Sequence, residues 1–340
     1  MIKTAVVILN WNGKMFLEKF LETVKKYSPA DTSGIFIADN GSSDGSLNYI
    51  KKQHPGIRII DLGKNHGFAE GYNRALEQIK ADYYILLNSD IEVSKGWLEK
   101  VIDYMDNNPE VAACQPKILS YNSRDTFEYA GAAGGFIDKY GYPFCRGRIM
   151  NNIEKDKGQY NNIKQIFWAS GACLFIRSST WKESGGFDAE FFAHMEEIDL
   201  CWRLNNSGKK IMHIPSSEVF HVGGGTLSYD SPRKIYLNFR NNLYLLYKNL
   251  PVGKRRKILF TRMLLDGLAA IRFLLILKPG AFYSILKAHR DYYRNRNKLK
   301  KTVIPGDKDI SLSCNKLIFN KSIVFTYFFR RKKRFTDLKM

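Results

Sequence analysis

The segment His194-Met195-Glu196-Glu197-Ile198-Asp199-Leu200-Cys201-Trp202-Arg203 sets three carboxylates within four positions, beside apolar and aromatic side chains. Crowded acids repel one another, and removal from water disfavours their charged forms. A proton can then be exchanged near neutral pH, which is the work of a general base. The same residues also suit a plain helix start, with acids facing the helix dipole and Asp199 reaching Arg203 one turn later. Other polar groups stand where apolar runs end. Asn10-Trp11-Asn12-Gly13 offers amides for hydrogen bonds and a ring for stacking. In residues 39–46, Asp39 can accept from a base or ribose donor, and small residues allow a tight turn. Asp39 and Asp44 also allow a calcium loop, but Ile50 stands at the twelfth position where such a loop needs glutamate. In residues 65–74, glycines let backbone approach a diphosphate near a helix N-terminus, although neither a Walker loop nor Gly-x-Gly-x-x-Gly is present. In Asn88-Ser89-Asp90, a carboxylate at a strand end suits Mg2+ or Mn2+ against phosphate oxygens.

The elements that must carry these groups alternate over the first 120 residues. Short apolar runs at 5–9, 35–38, 57–62, 83–87 and 111–114 read as strands. Helix-compatible stretches at 14–27, 46–53, 67–79 and 96–107 separate them. This βα alternation implies an α/β fold, a mostly parallel sheet flanked by helices, with ligands beyond the carboxyl ends of the strands. Residues 121–165 have no strong period and read as an irregular excursion with some strand on the acceptor side. Residues 166–176 read as a strand-like run, and Gly185-Gly186-Phe187-Asp188 as a turn before the acids.

Charge divides the chain. Residues 1–232 hold 26 Lys and Arg against 28 Asp and Glu, net −2; residues 233–340 hold 27 against 5, net +22. The expectation is a near-neutral domain over 1–232 and a basic, α-helical, membrane-associating region over 233–340. Residues 258–277 are interrupted by Arg262, Asp266 and Arg272, each costing about 2.5–3.5 kcal/mol at a bilayer centre, so an amphipathic helix is expected rather than a span. Its charges fall within an arc of about 120°. Residues 282–301 form a second basic, aromatic candidate, and 317–329, followed by Arg330 to Arg334, a third suited to acidic headgroups. Five widely spaced cysteines argue against a zinc ribbon or disulfide framework and for a reducing compartment. The N-terminal run is too short for a signal core, so a cytoplasmic protein, peripheral on the inner face of the cell membrane, is expected.

Together the motifs resemble the inverting family 2 glycosyltransferases of GT-A fold, within them the rhamnosyltransferase-type enzymes of bacterial surface polysaccharide assembly. The resemblance covers about residues 3–250 and rests on Val-Ile-Leu-Asn-Trp-Asn-Gly (7–13), residues 39–46, Asn-x-Gly-Phe-Ala-x-Gly-x-Asn (65–73) and Leu-Leu-Asn-Ser-Asp (86–90). It continues through Ala-Ser-Gly-Ala (169–172), Gly-Gly-Phe-Asp (185–188), Glu-Glu-Ile-Asp-Leu (196–200) and His-Val-Gly-Gly-Gly-Thr (221–226). It implies that Asp39 binds base or ribose, with Asn10, Trp11 and Asn12 nearby, and that Asn65, Gly67 and Asn73 line the nucleotide-sugar side. Asn88-Ser89-Asp90 stands where the family carries Asp-x-Asp, so only Asp90 remains an acid, and His221 would be the second protein ligand to a divalent metal. The family's Glu-Asp base position reads Glu196-Glu197 here, which favours Glu197 by register and leaves Glu196 and Asp199 open.

The implied reaction moves a sugar from a nucleoside-diphosphate sugar, dTDP-rhamnose or a UDP-sugar, to a hydroxyl of a glycan or polyprenyl-linked acceptor. A nucleotidyltransferase on a related sheet is disfavoured: only Lys14 follows the first strand, without a Gly/Arg-rich loop for a triphosphate. A nucleic-acid-binding module is disfavoured by the slightly acidic motif-bearing part. Anionic membrane, not nucleic acid, is the expected partner of the basic end.

Overall fold

The computed structural model describes residues 2–223, 231–299 and 316–340. Its first half follows the expected alternation: β1 (Ile2–Asn10), α1 (Lys14–Lys26), β2 (Ser33–Asp39), α2 (Ser46–Gln53), β3 (Arg58–Asp61) and α3 (Gly67–Glu77). Then come β4 (Ala81–Asn88), the short β5 (Ile91–Val93), α4 (Glu99–Asp106) and β6 (Val111–Ser120). These strands pair in the order β3-β2-β1-β4, all parallel. β1 is an interior strand, and its residues Ala5, Val6, Val7 and Ile8 are at most 2% exposed, which explains an apolar run without alternation.

Beyond β4 the sheet becomes mixed. β12 (Cys173–Arg177) runs antiparallel between β4 and β6, and β13 (Lys210–His221) lies parallel to β6 and antiparallel to β5. β11 (Lys164–Gln165) closes the edge. One face is covered by α1, α2 and α4, whose Leu17, Leu21, Ile50, Val101 and Met105 join one core. Helices α3, α5 (Ser178–Ser184), α6 (Glu196–Asn206) and α7 (Pro232–Asn249) cover the other face. The spacing of Leu17, Leu21 and Val24 puts all three on one side of α1, each worth about 1.5–3 kcal/mol when buried.

The excursion at 121–165 carries a second sheet: β7 (Gly135–Asp138), β8 (Pro143–Cys145), β9 (Arg148–Ile149) and β10 (Asn152–Ile153). After α8 (Val252–Leu275) and α9 (Pro279–Asn295), the chain returns to it as β14 (Ile318–Phe319), parallel to β7, and ends with α10 (Ile323–Phe328).

Three expectations change. Residues 166–172 are not strand: the Ser170 amide donates to the Gln115 side chain, and strand geometry starts only at Cys173. No break in packing falls at 232/233, since Leu243, Leu245 and Leu246 of α7 and Ile318, Phe319 and Ile323 share one core with α3 and α6. The shift there is one of surface charge. Residues 317–329 therefore do not form a detached apolar anchor; only Phe325, Phe328 and Phe329 among their large apolar side chains are exposed. The four described cysteines are buried and unpaired, and Cys314 lies outside the described residues.

Candidate active site

The polar ends of neighbouring parallel strands are laced into one platform. Asn10, opposite Asp39 in the ladder, donates its amide to Asp39 Oδ1 and to Ser42 Oγ, both at 3.0 Å. The Ser42 amide donates to Asp39 Oδ2 at 2.9 Å, and Asn12 joins the turn through Ser42 Oγ and the Ser43 amide. Asn10 Oδ1 is a buried acceptor with no partner among the described residues. Trp11 stands beside it with 41% of its surface exposed, a ring open to stacking. Asp44 caps α1 and α2 through the amides of Lys14 and Ser46.

Two residues expected at the nucleotide are occupied otherwise. Gly67 has φ +82°, and a Cβ there would stand 2.6 Å from Phe192, so the close approach of Phe192 already requires a glycine here. The Phe68 and Ala69 amides, which open α3, both donate to the Phe192 carbonyl, at 2.7 and 3.2 Å. Asn73 spends both ends of its amide on the backbone of Phe187, fastening the glycine turn at 185–186 to α3. Asn65 binds the Gly67 amide and Asn40, and keeps an exposed position beside the platform.

At the end of β4, the Asn88 amide donates to the Ala172 carbonyl, which joins the strand end to the 169–172 loop. Asp90 Oδ1 lies 3.1 Å from His221 Nε2, both side chains nearly buried. Burial opposes ionisation of Asp90, yet His221 outweighs it and holds the carboxyl below its usual range. Burial would depress His221, but Glu128 and Asp90 push it up to about 10. Two donors 3.1 Å apart match adjacent corners of an octahedron with bonds of about 2.1 Å, as Mg2+ and Mn2+ require. A divalent cation would fit Asp90 and His221 only in place of the proton that now lies between them, because an imidazole ligates once its Nε2 proton is lost. Among the described residues no group of three His, Cys, Asp or Glu is arranged to hold one, so substrate oxygens and water would complete the shell. His221 Nδ1 lies 3.4 Å from Glu128 Oε1. That carboxylate, missed in the sequence for want of any motif, orients the ring. Residues 224–226 of the same motif lie outside the described residues.

The acidic segment divides its labour. Asp199 is fully buried and held by Arg203, Lys248 and Asn249 at 2.8–2.9 Å. Despite burial, Arg203 and Lys248 keep it below the usual range. It is a structural ion pair and no base candidate, as the helix-start reading allowed. Glu196 is 3% exposed, and burial together with the Glu197 charge keeps it protonated well above the usual glutamate range. Burial raises Glu197 to about 7, against the pull of backbone amides at the start of α6. Glu197 is only half-buried, and its Cβ lies against the 169–172 loop, 3.8 Å from where a Cβ on Gly171 would stand. Glu196 Oε2, Glu197 Oε2 and His194 Nε2 are buried atoms without partners among the described residues. Burial also lowers His194 to about 4, so its ring is neutral.

This arrangement is strained and clamped. Phe192, His194 and Met195 have φ of +64°, +69° and +75°, a conformation costing about 1–3 kcal/mol for a residue with a Cβ. Asn241 of α7 offsets it by donating to the carbonyls of Phe191, Ala193 and His194 at 2.7–2.9 Å. Lys248 binds Asp188 as well as Asp199. Burial lowers Lys234, at the start of α7, against the pull of Glu128, and its charge adds to the burial that lowers His194. These α7 residues were invisible in the sequence, where the helix reads as part of a basic tail.

Known proteins resemble this chain in sequence and fold. A family model described as Glycosyl transferase family 2 matches residues 5–182. The N-acetylglucosaminyl-diphospho-decaprenol L-rhamnosyltransferase of Mycobacterium tuberculosis is 27% identical over 234 residues, 64% of this chain and 75% of that protein. Rhamnosyltransferase WbbL of Escherichia coli is 23% identical over 223 residues, 64% of this chain and 82% of its own. The crystal structure of GalNAc-T7 with UDP, GalNAc and Mn2+ superposes with a TM-score of 0.60 at 17% identity, covering 93% of this chain and 58% of that one.

Proposed function

The chain belongs to glycosyltransferase family 2, and from that premise we propose an inverting transfer of a sugar from a nucleoside-diphosphate donor to an acceptor hydroxyl, with Glu197 as the base. The observation that carries this reading is a half-buried carboxylate raised to about 7, with one oxygen unpartnered, on the edge next to the β4 strand end. The donor's base and ribose meet Asp39, with Asn10 and Asn12 holding the loop and Trp11 stacking. Asp90 and His221 would hold a divalent cation, whose chemistry would be charge stabilisation at the departing diphosphate. Glu197 takes the acceptor's proton as the hydroxyl attacks the anomeric carbon from the opposite face. Glu196, protonated, presents no competing negative charge, and Asp199 keeps the start of α6 in place.

Two rhamnosyltransferase relatives, one named for a polyprenyl-diphosphate acceptor, favour dTDP-rhamnose as donor over a UDP-sugar. They also favour a glycan or polyprenyl-linked acceptor, presented at an anionic membrane on its cytoplasmic side. The test is a screen of nucleotide sugars with Mn2+, followed by transfer with Glu197→Gln. Loss of about 10²–10⁴-fold in turnover with donor affinity retained is expected. Wild-type turnover in Glu197→Gln would remove it from the base position.

A further inference from the structure

α8 is amphipathic as its sequence predicts, but turned opposite to a helix that faces water. Its central charges point inward: Arg262 and Asp266 are 4% and 0% exposed and pair at 2.7 Å. Arg262 also meets Asn242 and the Tyr140 carbonyl, and Asp266 meets His289 of α9 at 3.2 Å. Outward stand Phe260, Leu264, Leu268, Ile271 and Leu275, between 53% and 78% exposed. At about 100° per residue these five fall within about 80° of one another, on the face opposite Arg262 and Asp266. The stripe ends in four consecutive exposed residues, Leu274, Leu275, Ile276 and Leu277, the last 88% exposed. α9 returns antiparallel, placing His289 at Asp266 and the Tyr293 hydroxyl 3.3 Å from Met263, and adds exposed Tyr283, Leu286 and Tyr293.

Single exposed leucines need no explanation, whereas a continuous stripe marks a surface that meets something apolar. The charges around it say what. Arg256, Lys257, Arg272, Lys278, Lys287, Arg290 and Arg294 are exposed along the two helices. Their only acids are Asp266, buried, and Asp291, bonded to Tyr236 and Arg290. A second copy would set one basic rim against another, but an anionic bilayer offers hydrocarbon to the stripe and phosphate to the rim. Residues 260–275 extend for about 24 Å. No described helix is long and apolar enough to cross a membrane, so α8 would lie in the interfacial plane.

We propose that the outward face of the α8–α9 hairpin is a membrane-docking surface, lying in the interface of an anionic bilayer with residues 274–277 deepest. It rests on the reading of a lipid-linked acceptor only for its purpose. Both helices pack on α7, whose Asn241 and Lys248 clamp the acidic segment, so docking would bring that edge to the bilayer.

The test uses full-length protein and vesicles of phosphatidylcholine alone or with about one third phosphatidylglycerol. Wild type should sediment with the anionic vesicles in a salt-sensitive manner. Leu268→Asp/Ile271→Asp and Leu275→Asp/Leu277→Asp should each lose at least tenfold in partitioning while keeping wild-type circular dichroism and donor hydrolysis in solution. Binding of these variants equal to wild type, or no vesicle binding by wild type, overturns the proposal. So does a wild-type dimer in sedimentation velocity that the variants convert to monomer, since a second copy would then occupy the face. Donor hydrolysis without vesicles reports the transferase reading separately: its failure alongside intact docking would count against that reading alone.

Discussion

Three acids in one short segment meet three fates, decided by what each touches. Asp199 faces two cations and an amide and is held ionised, whereas Glu196 has burial and a charged neighbour against it. Glu197, half-buried and raised to about 7, can lose and take a proton under working conditions. The acid limb of kcat/KM is accordingly expected to rise through about pH 7, read from a pH–rate profile with the preferred donor. The signs for stability follow from linkage. A carboxyl raised in the folded state stabilises below its ordinary value, and that stability is lost as pH rises through the folded value. Glu196→Gln should therefore raise the thermal midpoint at pH 8, by about 2–4 °C for each kcal/mol recovered, and change it little at pH 4. For Asp199 the sign reverses: its contribution is present above the ordinary aspartate value and lost as pH falls through the depressed one. Lys248→Met leaves Asp199 short of a partner and should cost about 3–5 kcal/mol in urea denaturation. Glu128→Gln weakens the acceptor for His221 Nδ1, and Mn2+ affinity by calorimetry should fall by about 10–100-fold.

At the scale of elements, a helix outside the recognised motifs holds the acidic segment in shape. The left-handed residues 192, 194 and 195 hold because Asn241 binds the carbonyls around them. Asn241→Ala leaves those carbonyls without this donor, about 1–3 kcal/mol for a buried group. Turnover should drop more than donor KM changes, since the nucleotide loops do not touch α7 in the contacts described for them. Unchanged turnover would show that the segment holds its shape without the clamp. The platform at the strand ends follows from parallel topology: β1 and β2 in register put Asn10 opposite Asp39, and their side chains bond across the gap.

At the scale of the whole molecule, the basic C-terminal third is part of the fold as well as a surface. Truncation at residue 255 would strip Tyr292, Ile318, Phe319 and Ile323 from the core they share with α3 and α6. Such a protein is expected to aggregate, which is why docking must be probed with surface substitutions. The sequence by itself determined the βα order, the strand-end loops and the place of the acidic segment, because strand and helix periods and turn residues are local signals; the roles given to Asp39, Asp90 and His221 are what the family resemblance implies. It also located the basic region and the period of α8. Only the tertiary structure decided which acid is free, since burial and partners come from α7, about 50 residues further along the chain. It gave Asn73 and Gly67 contacts with Phe187 and Phe192 that no local spacing encodes. It also decided which side of α8 faces outward. The period of a helix divides its residues into two faces, and only the packing of Arg262 and Asp266 against α9 and Asn242 says which one is inside.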